Sequence, residues 1–97
     1  GVAHWPEVTV VMATYNEHAR LERKLQNLQA LDYPAGKLQV MVVSDGSTDG
    51  SAALLAARTD VRSIAYPQRR GKPHALNRAL EQVRSPVVVS ATAVVRG

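Results

Sequence analysis

The fold follows from residues 40–51, which read V-M-V-V-S-D-G-S-T-D-G-S. The segment opens with apolar, mostly β-branched residues that do not alternate with polar ones, a pattern typical of a buried strand. Asp45-Gly46 then breaks the strand, because aspartate and glycine both tolerate the backbone angles of a turn. Thr48 and Asp49 are good N-cap residues, which predicts a helix over residues 49–58. A strand, a polar loop and a helix therefore follow one another.

The same alternation of strand and helix continues on both sides of this segment. Leucines at helical spacing predict an amphipathic helix over residues 17–31, with Asn16 as a candidate N-cap. Pro73 fits the first turn of a further helix. The predicted strands are 7–13, 39–44, 62–66 and one that starts at Val87 and ends near Ala91. The pattern predicts an α/β fold, with a mainly parallel sheet in a Rossmann-like three-layer α/β/α arrangement.

Three polar loops leave these strands at the same edge of the predicted sheet. They are T-Y-N-E at 14–17, D-G-S-T-D at 45–49 and R-R-G-K at 69–72. Ligands of open α/β sheets bind at this carboxyl edge. A hydrogen-bonding turn, a carboxylate and a cationic cluster suit a ligand such as a nucleoside diphosphate. Plain turn and capping chemistry in the first two loops, and a solvated third loop, are the competing interpretations.

Composition and missing motifs exclude several other functions. The 97 residues suffice for one domain, and we expect a piece of a longer protein; the net charge of +4 suits an anionic ligand only weakly. The absence of cysteine excludes disulfides and thiolate metal sites, and no apolar run could span a membrane. Four aromatic residues and one short basic cluster argue against nucleic-acid binding. The first loop lacks the G-x-G-x-x-G of dinucleotide-binding proteins, and Tyr66 and Pro73 rule out a Walker A loop.

Three motifs together resemble the inverting family 2 glycosyltransferases of the GT-A fold. They are V-V-M-A-T-Y-N-E at 10–17, V-V-S-D-G-S-T-D-G-S at 42–51 and R-G-K-P-H-A-L-N at 70–77. The run L-Q-N-L-Q-A-L-D-Y-P-A-G-K-L-Q-V at 25–40 resembles the processive, polysaccharide-synthesising branch, whose members are often membrane-embedded with this domain facing the cytoplasm. The resemblance implies that residues 1–97 form a single nucleotide-sugar-binding domain, the N-terminal half of a GT-A fold.

The resemblance also assigns roles in binding a UDP-sugar donor. Tyr15 would lie against the base and Glu17 near the ribose, and Asp45 would accept a hydrogen bond from uracil N3. The remaining residues of the nucleotide pocket would be Thr14, Asn16, Gly71, Lys72 and Asn77. No catalytic residue is assigned, because the acceptor-binding half and the catalytic base of the family lie beyond the sequence.

One family feature does not match this sequence. The family follows strand four with a D-x-D-like pair that binds a divalent cation, Mg²⁺ or Mn²⁺. Here Thr92 and Val94, or Ala91 and Ala93, occupy those places, and residues 90–97 contain no Asp or Glu. We therefore expect a donor-binding part of a glycosyltransferase that is inactive alone. A degenerate, non-catalytic nucleotide-binding module and a nucleotidyltransferase are the alternatives.

Overall fold

A computed structural model describes residues 5–34, 36–90 and 94–96. In these ranges strands and helices alternate as predicted, and the third strand has the predicted bounds. The elements are β1 (Val8–Thr14), α1 (His18–Gln29), β2 (Leu38–Asp45), α2 (Ser51–Ala56), β3 (Arg62–Tyr66), α3 (Lys72–Glu81), β4 (Val87–Ser90) and β5 (Val94–Arg96). Neither α1 nor α2 is as long as predicted. No helix within the described ranges is long and apolar enough to cross a membrane.

The strands form one sheet in the order β3-β2-β1-β4-β5, in which the first four are parallel and β5 runs antiparallel to β4. Thr14 pairs with Ser44, and Asp45 pairs with Tyr66, so β1, β2 and β3 end at the same level. The chain winds outward from β1 to β3, and α3 then carries it back to the far side of β1. The winding direction therefore reverses between β1 and β4, which is where ligands of such sheets bind.

Two apolar cores, one on each face of the sheet, fix the three layers. Leucines of α1 and α2 pack on one face of the sheet, and alanines of α3 pack on the other. The first core contains Val10, Met12, Leu21, Leu25, Val42 and Leu55. The second contains Val11, Met41, Val43, Ala75, Ala79, Val83 and Val88. Neighbouring residues of β1 and β2 thus point to opposite faces, as strand geometry requires, and the predicted three-layer arrangement is confirmed.

Asp60, in the loop before β3, forms an ion pair within that loop and a hydrogen bond to the end of α1. The Arg58 guanidinium donates from Nε to Asp60 Oδ1 at 2.9 Å and from Nη2 to Oδ2 at 2.6 Å. The Gln29 side-chain amide also donates to Asp60. The bonds from Arg58, and then that from Gln29, lower the pKa of Asp60 from 3.8 to about 2.

We expect Asp60 to make folding stability depend on pH between about 4 and 2. Because the folded state lowers this pKa, the stabilisation is complete above pH 3.8 and is lost as the pH falls through 2. The Asp60 side chain is 39% exposed, so solvent screening limits the effect to about 0.5–1 kcal/mol. Urea denaturation of Asp60→Asn at pH 7 and pH 2 measures it. The exposed Asp32→Asn is the control; a deficit for Asp60→Asn that is equal at both pH values would contradict the prediction.

Candidate functional site

A cleft of about 290 Å³ opens at the carboxyl edge of the parallel strands. The first turns of α1 flank it on one face of the sheet, and the loop before α3 flanks it on the other. Its lining residues are Ala13, Thr14, Tyr15, Glu17, Arg20, Lys24, Asp45, Arg69 and Lys72. The three loops that the sequence analysis placed at one edge of the sheet therefore contribute to a common cleft.

Asp45 forms the floor of this cleft and holds one of its walls. Its side chain is only 2% exposed. Oδ1 accepts the backbone N–H of Arg70 at 2.9 Å, and Oδ2 accepts the backbone N–H of Gly71 at 3.0 Å. An ionised carboxylate has about four lone-pair sites. Each oxygen of Asp45 can therefore accept a second hydrogen bond, from a ligand in the cleft.

Gly46 lets the two loops approach each other closely. It adopts φ +77°, and a Cβ atom built on it would lie 2.4 Å from the Arg69 nitrogen and 2.7 Å from the Gln68 carbonyl carbon. Only a residue without a side chain fits there, because both neighbours are backbone atoms. The Asp-Gly pair thus has two linked tasks: Gly46 admits the loop before α3, and Asp45 hydrogen-bonds it.

Tyr15 and Arg69 meet at the mouth of the cleft. The Arg69 guanidinium carbon lies 4.1 Å from the centroid of the Tyr15 ring, which is the geometry of a cation–π contact. Tyr15 remains 36% exposed. The contact joins the loop after β1 to the loop before α3 and holds a positive charge beside an aromatic ring.

The prediction that Asn16 caps α1 is wrong. Glu17 occupies the N-cap position, where its side chain makes no capping hydrogen bond. Asn16 instead adopts φ +49°, which asparagine tolerates better than most residues. Its Oδ1 accepts the Thr48 backbone N–H at 2.7 Å, and its own backbone N–H donates to Ser47 Oγ at 3.1 Å. Asn16 therefore fastens the loop after β1 to the loop after β2.

Asp49 caps two helices at once. Its Oδ1 accepts the backbone N–H of Ser51 at 3.1 Å and the Ser51 hydroxyl at 2.6 Å, at the start of α2. Its Oδ2 accepts the backbone N–H of His18 at 3.0 Å, at the start of α1. The hydrogen bond from the Ser51 side chain, supported by those from the Ser51 and His18 amides, lowers the pKa of Asp49. The sequence predicted Thr48 and Asp49 as N-cap residues of the second helix, but Gly50 occupies the N-cap position of α2. Asp49 lies one residue before it and bonds the first amides of α2 and of α1.

The structure brings most but not all of the predicted site residues into the cleft. Gly71 precedes α3 with φ +102° and contributes its N–H to Asp45, and Lys72 lines the cleft directly. Arg70 also contributes its backbone N–H, but its side chain is not part of the lining. Asn77 lies on an exposed part of α3 outside the lining. The structure thus gives no support for Asn77 as a pocket residue.

Arg20 and Lys24 line the cleft, although the sequence analysis did not single them out. Both project from α1, and Arg20 Nη1 pairs with Glu17 Oε2 at 3.3 Å. Their spacing in the sequence could have identified them. Glu17, Arg20 and Lys24 are three and four residues apart, so they share one face of a helix.

The residues that line the cleft do not fit a divalent cation. The lining has four cationic side chains and only two carboxylates. One of these carboxylates, that of Glu17, pairs with Arg20. In the described ranges, no group of three or more His, Asp and Glu residues could hold a metal. Residues 91–93, where the family pattern expects carboxylates, lie outside the described residues.

Comparison with known proteins identifies relatives along almost the whole chain. The family description "Glycosyl transferase family 2" matches residues 9–93. Poly-beta-1,6-N-acetyl-D-glucosamine synthase of Staphylococcus aureus is 33% identical over 78 residues, covering 77% of this chain and 18% of the synthase. The chain spans about a fifth of the length of the curated relatives that it matches first.

Solved structures agree with this match. The mannosyltransferase PcManGT from Pyrobaculum calidifontis, in complex with GDP-Man and Mn²⁺, is 38% identical with a TM-score of 0.81 over 93% of this chain and 28% of its own. S. aureus TarS 1-349, in complex with UDP-GlcNAc, is 25% identical with a TM-score of 0.77 over 87% of this chain and 25% of its own. The predicted GT-A architecture and the resemblance read from the three sequence motifs are confirmed.

Proposed function

Because the chain belongs to glycosyl transferase family 2, we propose that it is the donor-binding part of a glycosyltransferase. In this proposal the cleft holds a UDP-sugar for inverting transfer to a polysaccharide, a lipid or another acceptor. The observation that carries the proposal is the buried Asp45 carboxylate at the floor of a cationic cleft. It offers acceptor sites for a base beside the positive charges that a diphosphate needs.

The resemblance to the family supplies the proposed contacts, and the chemistry of the cleft supports them. Asp45 accepts the N3–H of uracil while it keeps its bonds to the Arg70 and Gly71 amides. The Tyr15 ring packs against the base, and the Glu17 carboxylate accepts hydrogen bonds from ribose hydroxyls. Thr14, Asn16 and Gly71 shape the loops that hold the nucleotide, and Lys72 adds positive charge.

We further propose that this chain binds the donor without transferring the sugar, and that Mg²⁺ or Mn²⁺ contributes little to its binding of UDP. Transfer requires neutralisation of the leaving diphosphate and a base that activates the acceptor hydroxyl. Residues 90–97 contain no carboxylate, and hard cations prefer carboxylate oxygens. UDP affinity measured with excess Mn²⁺ and with chelator should agree within about threefold. A gain above tenfold with Mn²⁺, or sugar transfer by the chain, would refute this part of the proposal.

The test of donor binding compares nucleoside diphosphates that differ only in the base. Calorimetric titrations should show UDP binding at least tenfold more tightly than CDP, because cytosine N3 accepts a hydrogen bond and cannot donate one to Asp45. GDP belongs in the series, since guanine N1–H and N2–H also donate and PcManGT was solved with GDP-Man. Tighter GDP than UDP binding would change the donor assignment. No binding of any nucleotide would refute the proposal.

The cellular location of the domain is also a proposal. We propose that the domain is cytoplasmic and lies at the cytoplasmic face of a membrane in the parent protein; the resemblance to the polysaccharide-synthesising branch supports this proposal. Protease treatment of sealed vesicles with known orientation tests this: cleavage of the domain only in vesicles with the cytoplasmic side outward is the expected result.

A further inference from the structure

We propose that Arg20 and Lys24 of α1 form the binding site for the diphosphate of the nucleotide. This inference rests on the proposed donor-binding function and deepens it, because it assigns a ligand group to the wall of the cleft opposite Arg69 and Lys72. Three observations carry it: the position of the two side chains, their state of pairing, and the lack of carboxylates at the end of β4.

The position of the two side chains separates them from the base end of the cleft. A small pocket of about 10 Å³ beside the cleft is lined by Arg20, Lys24, Glu17 and Leu21 together with residues 12–14 of β1, and Asp45 and Arg69 do not border it. Lys24 also borders a groove that includes Val89 and Ser90 of β4. Lys24 therefore lies beside the boundary of β1 and β4, where the winding of the sheet reverses and ligands bind. A nucleotide with its base at Asp45 would extend its phosphates toward this boundary.

In the described part of the chain, neither cation is held in a strong ion pair, so both are available to an anion. Lys24 is half-buried and has no ion-pair partner among the described residues. Arg20 Nη1 lies 3.3 Å from Glu17 Oε2, and both side chains are exposed. This ion pair therefore contributes little to stability and is easily exchanged. A partly desolvated ammonium without a counter-charge is unfavourable. A diphosphate would supply that counter-charge, with the guanidinium binding two oxygens and the ammonium acting as a point charge.

The sequence gives the third observation. Residues 90–97 contain no Asp or Glu, whose oxygens a hard divalent cation prefers. In this proposal the positive charge that faces a diphosphate comes from side chains of the cleft. Arg20 and Lys24 are the lining cations on the β1 side, so they take the place that a bound cation has in metal-dependent binding.

The experiment measures binding of uridine and UDP to the intact protein in the presence of a chelator. Its variants are Lys24→Gln, Arg20→Gln and the control Arg23→Gln, which removes an equal charge from an exposed position of the same helix. We expect Lys24→Gln to weaken UDP about tenfold, Arg20→Gln to weaken it several-fold, and neither to change uridine binding. Arg23→Gln should leave both affinities unchanged, and Lys24→Arg should largely restore UDP binding.

The outcomes separate this inference from the proposed function. If the wild type binds UDP and Lys24→Gln binds it equally well, the diphosphate site is elsewhere and the donor-binding function stands. If Lys24→Gln weakens uridine as much as UDP, its effect is structural and the inference is wrong. If the wild type binds neither ligand, both the inference and the donor-binding function are refuted.

Discussion

Replacement of Asp45 by alanine is expected to weaken UDP binding by about 1.5–3 kcal/mol, or roughly 10- to 150-fold. The variant loses the carboxylate that faces the base, and it leaves the Arg70 and Gly71 amides without their acceptors. The loop before α3 is then no longer held against the cleft. We expect the melting temperature to fall as well, because two partly buried N–H groups lose their partners.

The Asp45→Asn variant distinguishes direct recognition of the base from ordering of the loop. Asparagine has nearly the same shape, but its amide group donates hydrogen bonds where the carboxylate only accepted them. If Asp45 contacts the base, this variant should shift preference from UDP toward CDP, whose N3 is an acceptor. If it serves only to order the loop, UDP and CDP should weaken equally. Unchanged affinity for UDP in both the Ala and the Asn variants would remove Asp45 from the site.

Gly46→Ala is expected to destabilise the fold by about 2–4 kcal/mol and to abolish measurable UDP binding. An alanine at φ +77° costs about 1 kcal/mol by itself. Its Cβ would also overlap the backbone of Gln68 and Arg69, at 2.7 and 2.4 Å, so the loop before α3 must move away. That movement separates the Arg70 and Gly71 amides from Asp45. Urea denaturation and calorimetric titration measure the two effects.

The matched control is Gly36→Ala. Gly36 has a similar φ of +81°, but a Cβ atom built on it would have open space around it, with no neighbour within 4 Å. This variant should therefore show only the conformational cost of about 1 kcal/mol and should bind UDP normally. If Gly46→Ala is no less stable than Gly36→Ala, the close approach of the two loops does not shape the cleft.

Hydrophobic patterning predicted the sheet and its layers well, because strands buried on both faces give continuous apolar runs and buried helix faces give leucines at helical spacing. The bounds of β3 at Arg62 and Tyr66 came directly from this pattern. Patterning also placed the three loops at one edge, since parallel strands end on the same side. What failed was Asn16, which local preference favours as a cap and which instead bonds a residue 32 positions away. Rules that consider only neighbouring residues could not have identified that partner.

The cleft was predictable in its floor but not in one of its walls. Asp45 follows a buried strand directly, so its place at the sheet edge could be derived. Its bonds to the Arg70 and Gly71 amides could not, because they depend on the loop approach that Gly46 permits. Arg20 and Lys24 share a helix face in the sequence, but an exposed charged face is usually only solvated. That this face borders a cleft depends on how α1 sits on the sheet.

The hydrogen bonds of Asn16 and Asp49 have a consequence for protein engineering. The conformation of each loop depends on contacts with the other. Ser47 and Thr48 hydrogen-bond the T-Y-N-E turn, and Asp49 accepts the first amide of the helix that follows this turn. A graft of this turn onto another β–α junction would leave behind the oxygen atoms and amides that shape it. The transferable unit is the pair of loops, together with β1 and β2, which keep their ends level. Libraries that vary residues 14–18 should therefore vary residues 47–51 in the same molecules.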